Sequence, residues 1–374
     1  MTTLPAPRLQ PVPSAHHLLP DDDPVTFIAP DGSPAHPAAG GPSDGLPRPD
    51  DAQLLDLHRR MVVGRRLDTQ CTALTKQGRL AVYPSSRGQE ACEIGVSAAL
   101  RDGDWLFPTY RDTVAVLDRG IPAAEALELL RGTWHCGYDP ARYRTAPQCT
   151  PLATNALHAV GFAHAAQLRG EDTVAVVFIG DGATSEGDTH EAFNVAAVWK
   201  APVVFVVVNN GWAISVPLAK QTAAPTLAAK GIGYGMPGRR VDGNDVAAVW
   251  ATVRAGVEAA AAGEGPTLVE ALTYRIEPHT NADDAGRYRD EAEVAVWRDR
   301  DPVQRLTSHL TDRGLLSAER ADAVTEEAER RAADLRAVMN AEPVPAVDDL
   351  FAHVFSEVPR ALRAQADDVA AFAS

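Results

Sequence analysis

The sequence predicts an α/β fold built on a parallel sheet with helices on both faces, and three observations carry that prediction. Residues 174–179 and 202–208 are apolar, β-branched runs that do not alternate with polar residues, as expected of strands buried on both faces. A helical stretch ending near Lys200 separates them, which makes a β-α-β unit. A further apolar run spans 265–275, after a helical pattern over 246–262 that opens at a turn, Val241 to Asp245. With 374 residues, 45% of them hydrophobic, the chain can bury a large core.

The elements follow in order. Residues 1–50 hold twelve prolines among scattered Gly, Ser and Asp, a composition that reads as an extended arm. Within it, Val25 to Ile28 followed by Pro30-Asp31-Gly32 reads as a short strand and turn lying on a partner or on the main body, with a disordered tail as the alternative. From Asp50 the spacing turns helical through Leu54, Leu57, Met61, Leu67, Cys71 and Leu74 and closes near Gly78, with Asp50 or Asp51 as cap. A loop then leads through Gly88-Gln89-Glu90 into a small-residue helix ending near Asp102. A smooth helix over 156–168 is expected to be internal and capped by Thr154. From Glu291 onward the chain is charged and helical, with helices expected over 297–310 and 318–341 and a last pair near 348–372. The expected division is an arm over 1–50, an α/β domain over 51–300 and a helical region over 301–374.

The chemistry gathers at strand ends, where parallel sheets bind ligands. The first strand of the central unit delivers Gly180-Asp181-Gly182-Ala183 and the second delivers Asn209-Asn210-Gly211-Trp212. A carboxylate at Asp181 and an amide oxygen at Asn210 suit a hard cation such as Mg²⁺ or Ca²⁺. Gly180 and Gly182 let the backbone turn and approach a phosphate, and the following helix offers free N–H groups. Either glycine motif alone is an ordinary tight turn; the pair on adjacent strand ends is not. Tyr110-Arg111 after Pro108 suits an anion in a cleft, or a structural ion pair. Asp242 is read as a helix-start residue. After the strand at 265–275, a polar loop carries Arg275, His279, Asp283, Asp284, Tyr288 and Arg289, and imidazole is the side chain suited to moving protons near neutral pH.

The Gly180-Asp181-Gly182 and Asn209-Asn210 motifs together resemble the thiamine-diphosphate motif, and Arg275 to Arg289 resembles the histidine-bearing loop of the alpha subunits of 2-oxo acid dehydrogenases. The resemblance covers roughly residues 50 to 370 and implies the thiamine-diphosphate-binding fold, with thiamine diphosphate and Mg²⁺ as cofactors. Carried over, Asp181, Asn210 and the main-chain carbonyl of Trp212 hold the metal. Tyr110, Arg111, Thr150, Leu152, Gly180, Gly182, Ala183 and His279 meet the cofactor. Leu152 is either an apolar prop under its aminopyrimidine ring or core. His279 helps protonate the lipoyl group, while Arg275, Asp283, Asp284, Tyr288 and Arg289 order the loop and receive a lipoyl domain. Val208 stands where relatives often carry a polar or basic residue, so one diphosphate contact is missing or comes from elsewhere. Thr280 replaces a serine that regulated relatives phosphorylate, which implies no comparable kinase control.

The implied partners are a beta subunit, which supplies the activating glutamate in an α2β2 heterotetramer, and the dihydrolipoyl acyltransferase core. Pro151-Leu152-Ala153-Thr154, with Thr150 in place of a serine, resembles the branched-chain members. Glu277-Pro278-His279-Thr280 resembles bacterial pyruvate dehydrogenase, and acetoin is a third substrate to weigh. Residues around Tyr83, Tyr110 and Leu152, together with the beta chain, are expected to set specificity. A silent paralogue is disfavoured by the presence of Asp181, Asn210, Arg111 and His279. A Rossmann dehydrogenase is disfavoured because Asp181 puts negative charge where a pyrophosphate loop avoids it. The net charge of −15 argues against nucleic acid. No apolar run is long enough for a membrane span and no signal peptide is visible, so cytoplasmic is the expected location. The four cysteines show no zinc or disulfide spacing and read as packing residues.

Overall fold

A computed structural model describes residues 18–35, 41–341, 346–352 and 354–373; the expected arm at 1–17 and 36–40 lies outside the described residues. Five strands form one parallel sheet: β1 (Trp105–Phe107), β2 (Ala175–Gly180), β3 (Val203–Asn209), β6 (Gly238–Asp242) and β7 (Thr267–Leu272), in the order β1-β2-β3-β7-β6. A two-residue hairpin, β4 (Trp212–Ala213) with β5 (Val216–Pro217), follows β3. The helices are α1 (Asp51–Lys76), α2 (Glu90–Ala99), α3 (Thr113–Asp118), α4 (Ala123–Arg131), α5 (Pro140–Tyr143), α6 (Thr154–Arg169), α7 (Gly187–Trp199) and α8 (Val246–Ala261). They continue with α9 (Glu291–Arg298), α10 (Pro302–Asp312), α11 (Ala318–Asn340), α12 (Asp349–Ala352) and α13 (Arg360–Ala373).

The unbroken apolar runs are explained by two cores. Val176, Phe178, Val204, Val206, Val208 and Val269 pack with α1, α2, α8 and α10 on one face. Their alternate neighbours Val177, Ile179, Val203, Phe205, Val207 and Leu268 pack with α6 and α7 on the other. Successive side chains point to opposite faces of a strand, so a sheet covered twice needs apolar residues at every position. The register pairs Gly180 with Val208, which brings Asp181 and Asn210 to neighbouring strand ends.

Caps fix the helix starts. Asp50 Oδ1 accepts the Gln53 N–H at 2.8 Å while Gln53 Oε1 accepts the Asp50 N–H at 2.9 Å, a reciprocal cap for α1. Asp245 accepts the Ala247 and Ala248 N–H groups at the head of α8. The expected cap of α6 is corrected: Ala153, at φ 68°, precedes the helix without a side-chain bond, and the Thr154 hydroxyl donates instead to Asp188 at 3.1 Å. Asp242 is likewise the last residue of β6 and pairs with Arg305 at 2.8 Å, leaving the cap to Asp245. The α6 helix is internal on one face only, for Gly161 and Leu168 are exposed. The expected helix over 297–310 is broken between α9 and α10, where Pro302 opens a new helix capped by Asp301. Gly182–Ser185 forms a 3₁₀ turn, so α7 begins at Gly187 rather than at the glycine motif.

The segment around Val25 to Ile28 lies on the main body. Val25 bridges in parallel to Val241 at the β6 edge, and both the Phe27 and Ile28 N–H groups donate to Asp245 Oδ2 at 2.7 Å. Covering an exposed sheet edge satisfies its unpaired backbone groups. Among the described residues, no helix is long and apolar enough to cross a membrane.

Candidate active site

A cavity of about 220 Å³ opens where β2 and β3 end. Its lining includes Tyr110, Arg111, Leu152, Gly180, Asp181, Gly182, Asn210, Trp212 and His279 from the sequence reading, together with Gln89, Asp112, Val208 and Ile214. Thr150 is exposed and outside this lining, and Ala183 is buried in the core against α7. Tyr83 lines a separate cavity of about 390 Å³ with Thr75, Lys76 and Thr280, and its hydroxyl donates to buried Asp68 at 2.8 Å.

Asp181 follows β2 and is 2% exposed. Burial holds its carboxyl above the ordinary value, opposed by a hydrogen bond from Gln221 and the charge of Arg275. Gln221 Nε2 donates to Asp181 Oδ2 at 2.7 Å and to the Val216 carbonyl at 3.0 Å, tying the carboxylate to the hairpin. Asn210 is oriented from both ends. Its Oδ1 accepts the Trp212 N–H at 3.2 Å, and its Nδ2 donates to Gln89 Oε1 at 3.1 Å. An amide oxygen has two lone pairs, so Oδ1 keeps one for a further partner. Gly182 is required by packing: a Cβ there would stand 2.6 Å from Ala213 Cβ.

The second wall is built around Arg111 and the loop after β7. Arg111 Nη1 donates to the Ser85 carbonyl at 3.0 Å, and Nη2 approaches both His279 Nδ1 and the His279 carbonyl at 3.0 Å. Because guanidinium only donates, Nδ1 is an acceptor and the ring proton of neutral His279 sits on Nε2. Burial, then the charges of Arg111 and Arg275, lower the His279 value from 6.5 to about 4, so the ring is neutral at physiological pH. The Tyr110 ring stands edge-on to it, 5.9 Å between centroids.

Arg275 is 1% exposed and ties the loop to the hairpin. Its Nη2 donates to the Ile214 carbonyl at 2.7 Å and to the Tyr288 hydroxyl at 2.8 Å. Tyr288 in turn bonds Asp283, whose Oδ2 accepts the His279 N–H at 2.8 Å, and Arg289 donates to the Arg275 and Ile276 carbonyls. Asp284 is exposed, and its carbonyl accepts the Arg287 N–H at 3.3 Å. Ile214 holds φ 55°, a conformation that a β-branched residue adopts only when its surroundings dictate it; here its carbonyl is gripped by Arg275.

Among the described residues, no group of three His, Cys, Asp or Glu side chains is placed to hold a metal. A cation here would take one carboxylate oxygen from Asp181, the Asn210 amide oxygen and a main-chain carbonyl, leaving positions for phosphate oxygens and water, a donor set that fits Mg²⁺. The lining also includes Gln89, whose buried Nε2 has no partner among the described residues, and Arg111. Donors and cation ligands in one lining suit a polyanion that binds through a metal.

Two contributors were not singled out from sequence. Gln89 was visible only as a polar residue at a helix start, and Gln221 sits in a loop with no motif. The family model for the dehydrogenase E1 component matches residues 58–348. A 3-methyl-2-oxobutanoate dehydrogenase subunit alpha of Mycobacterium tuberculosis (strain H37Rv) is 47% identical over 359 residues, 96% of each chain. A pyruvate dehydrogenase E1 component subunit alpha of Staphylococcus aureus (strain N315) is 39% identical over 327 residues, 86% of this chain and 87% of the relative.

Proposed function

Because the chain belongs to the dehydrogenase E1 component family, we propose that it is the alpha subunit of an enzyme that oxidatively decarboxylates branched-chain 2-oxo acids and acylates a lipoyl group. The observation that carries the substrate is the 47% identity to a 3-methyl-2-oxobutanoate dehydrogenase subunit alpha along 96% of both chains.

Asp181, Asn210 and the Trp212 carbonyl would hold Mg²⁺, and Arg111 would grip a diphosphate oxygen. When bound, thiamine diphosphate supplies the electron sink that decarboxylation of a 2-oxo acid requires. His279, neutral and oriented through Nδ1, offers Nε2 for proton exchange, and the Arg111 contact keeps that tautomer in place. Arg275, Tyr288 and Asp283 hold the His279 backbone, so they position the ring without touching the reacting atoms. At about 220 Å³ the cavity is smaller than the roughly 300–1,000 Å³ of small-molecule sites. That size suits a half-site for the diphosphate end, the remainder coming from a beta subunit in an α2β2 assembly that supplies the activating glutamate. Asp283, Asp284 and Arg289 lie on the loop that would receive the lipoyl domain of the dihydrolipoyl acyltransferase core.

Pyruvate is the second reading, favoured by the 39% identity to a pyruvate dehydrogenase alpha subunit. Decarboxylation of 3-methyl-2-oxobutanoate and of pyruvate by the chain co-expressed with its beta subunit separates them. The expected result is at least about tenfold higher kcat/KM for the branched acid, the scale of one or two methylenes in an apolar pocket. Equal or higher kcat/KM for pyruvate refutes the branched-chain assignment.

A further inference from the structure

We propose that Gln89 is a cofactor-binding residue, donating from its side-chain Nε2 to a diphosphate oxygen. The inference rests on the thiamine-diphosphate reading of the cavity and extends it to a residue outside the motifs.

Gln89 is 2% exposed and stands at the N-cap of α2, a helix of ten residues, but its side chain makes no capping bond. Its orientation is set by Asn210. The Trp212 N–H occupies Asn210 Oδ1, so Asn210 presents Nδ2, and Gln89 must answer with Oε1. Rotating the Gln89 amide would set two NH₂ groups against each other. The outcome is a buried Nε2 with no partner among the described residues, in a side chain that lines the cavity. An unmet buried donor costs roughly 1–3 kcal/mol, which a bound oxygen would remove. Two features favour an anion there. The N-terminus of α2 carries the positive end of its dipole, and the neighbouring Glu90 carboxylate is already engaged by Arg65 and the Gly88 N–H at 2.6 and 2.9 Å. Val208, 6% exposed in the same lining, can donate nothing.

Gln89→Glu isolates the donor. The carboxylate keeps an oxygen for Asn210 and replaces the amide NH₂ by a second oxygen facing the diphosphate. Thiamine diphosphate with Mg²⁺ is titrated calorimetrically into the chain assembled with its beta subunit, for wild type, Gln89→Glu, Gln89→Met and the control Asp181→Ala. The expected result is cofactor binding about tenfold or more weaker in both Gln89 variants, as for a hydrogen bond to a charged group. KM for the 2-oxo acid at saturating cofactor should stay within about twofold, and unchanged assembly by gel filtration confirms folding. If both Gln89 variants bind cofactor as wild type does while Asp181→Ala does not, Gln89 has no such role and the wider reading stands. A raised KM with unaltered cofactor affinity overturns the proposal in favour of a substrate contact. No binding by wild type overturns this proposal together with the reading beneath it.

Discussion

His279 shows how single side chains are tuned here. Its value falls from 6.5 to about 4 because burial, Arg111 and Arg275 all disfavour the charged ring. The unfolded chain therefore binds the proton more readily than the folded one between those values, so this residue contributes stability above pH 6.5 and loses it as pH falls toward 4. Chemical denaturation at pH 7 and pH 5 should show a loss of stability on acidification that is smaller in His279→Asn. An identical loss in both proteins would mean that His279 is protonated in the folded state. At this scale the placement of Asp181 and Asn210 at neighbouring strand ends was legible in the sequence because both follow unmistakable apolar runs, whereas Trp212 entered through the resemblance alone. Gln89 and Gln221 were not legible, since each matters through a bond to a residue more than 30 positions away, Asn210 and Asp181 respectively. Thr150, named through the resemblance, is exposed and lies outside the lining of this cavity.

At the scale of elements, β2, β3, β7, α1, α2, α7, α8 and α11 follow from local signals, apolar runs and helical spacing with an Asp cap on α1, whereas the short edge strand β1 was not read as a strand. The failures arose where tertiary contacts override a local rule. Thr154 has good capping chemistry but bonds to Asp188 on α7, and Ala153 adopts a left-handed backbone in its place. Asp245 does two jobs that no pattern joins, capping α8 and holding the Phe27 and Ile28 amides more than 200 residues away. Replacing it by alanine removes a cap worth about 1 kcal/mol and charge-assisted bonds worth about 1.5–3 kcal/mol. Asp245→Ala should thus lose about 2.5–4 kcal/mol in denaturant unfolding, and limited proteolysis should cleave near residues 18–35 before the core. Resistance of that segment equal to wild type would show that the Val25 bridge and the bonds from Arg240, Arg305 and His309 secure it without Asp245.

For the whole molecule, the two-faced core makes a stiff platform, and everything chemical is hung on its strand ends. The proline-rich composition marked an extended segment, but it could not say where that segment lies; the answer depends on the free edge of β6, which only the assembled sheet presents. On the proposed function, the small cavity beside Asp181 is one wall of a larger site. That account stands on a cation held between two adjacent strands. The direct measurement is an anomalous difference map from crystals of the chain with its beta subunit, grown with thiamine diphosphate and Mn²⁺ in place of Mg²⁺. The account predicts one peak about 2.2 Å from an Asp181 carboxylate oxygen, Asn210 Oδ1 and the Trp212 carbonyl. A bound cofactor with no peak there, or a peak held by other residues, would contradict it.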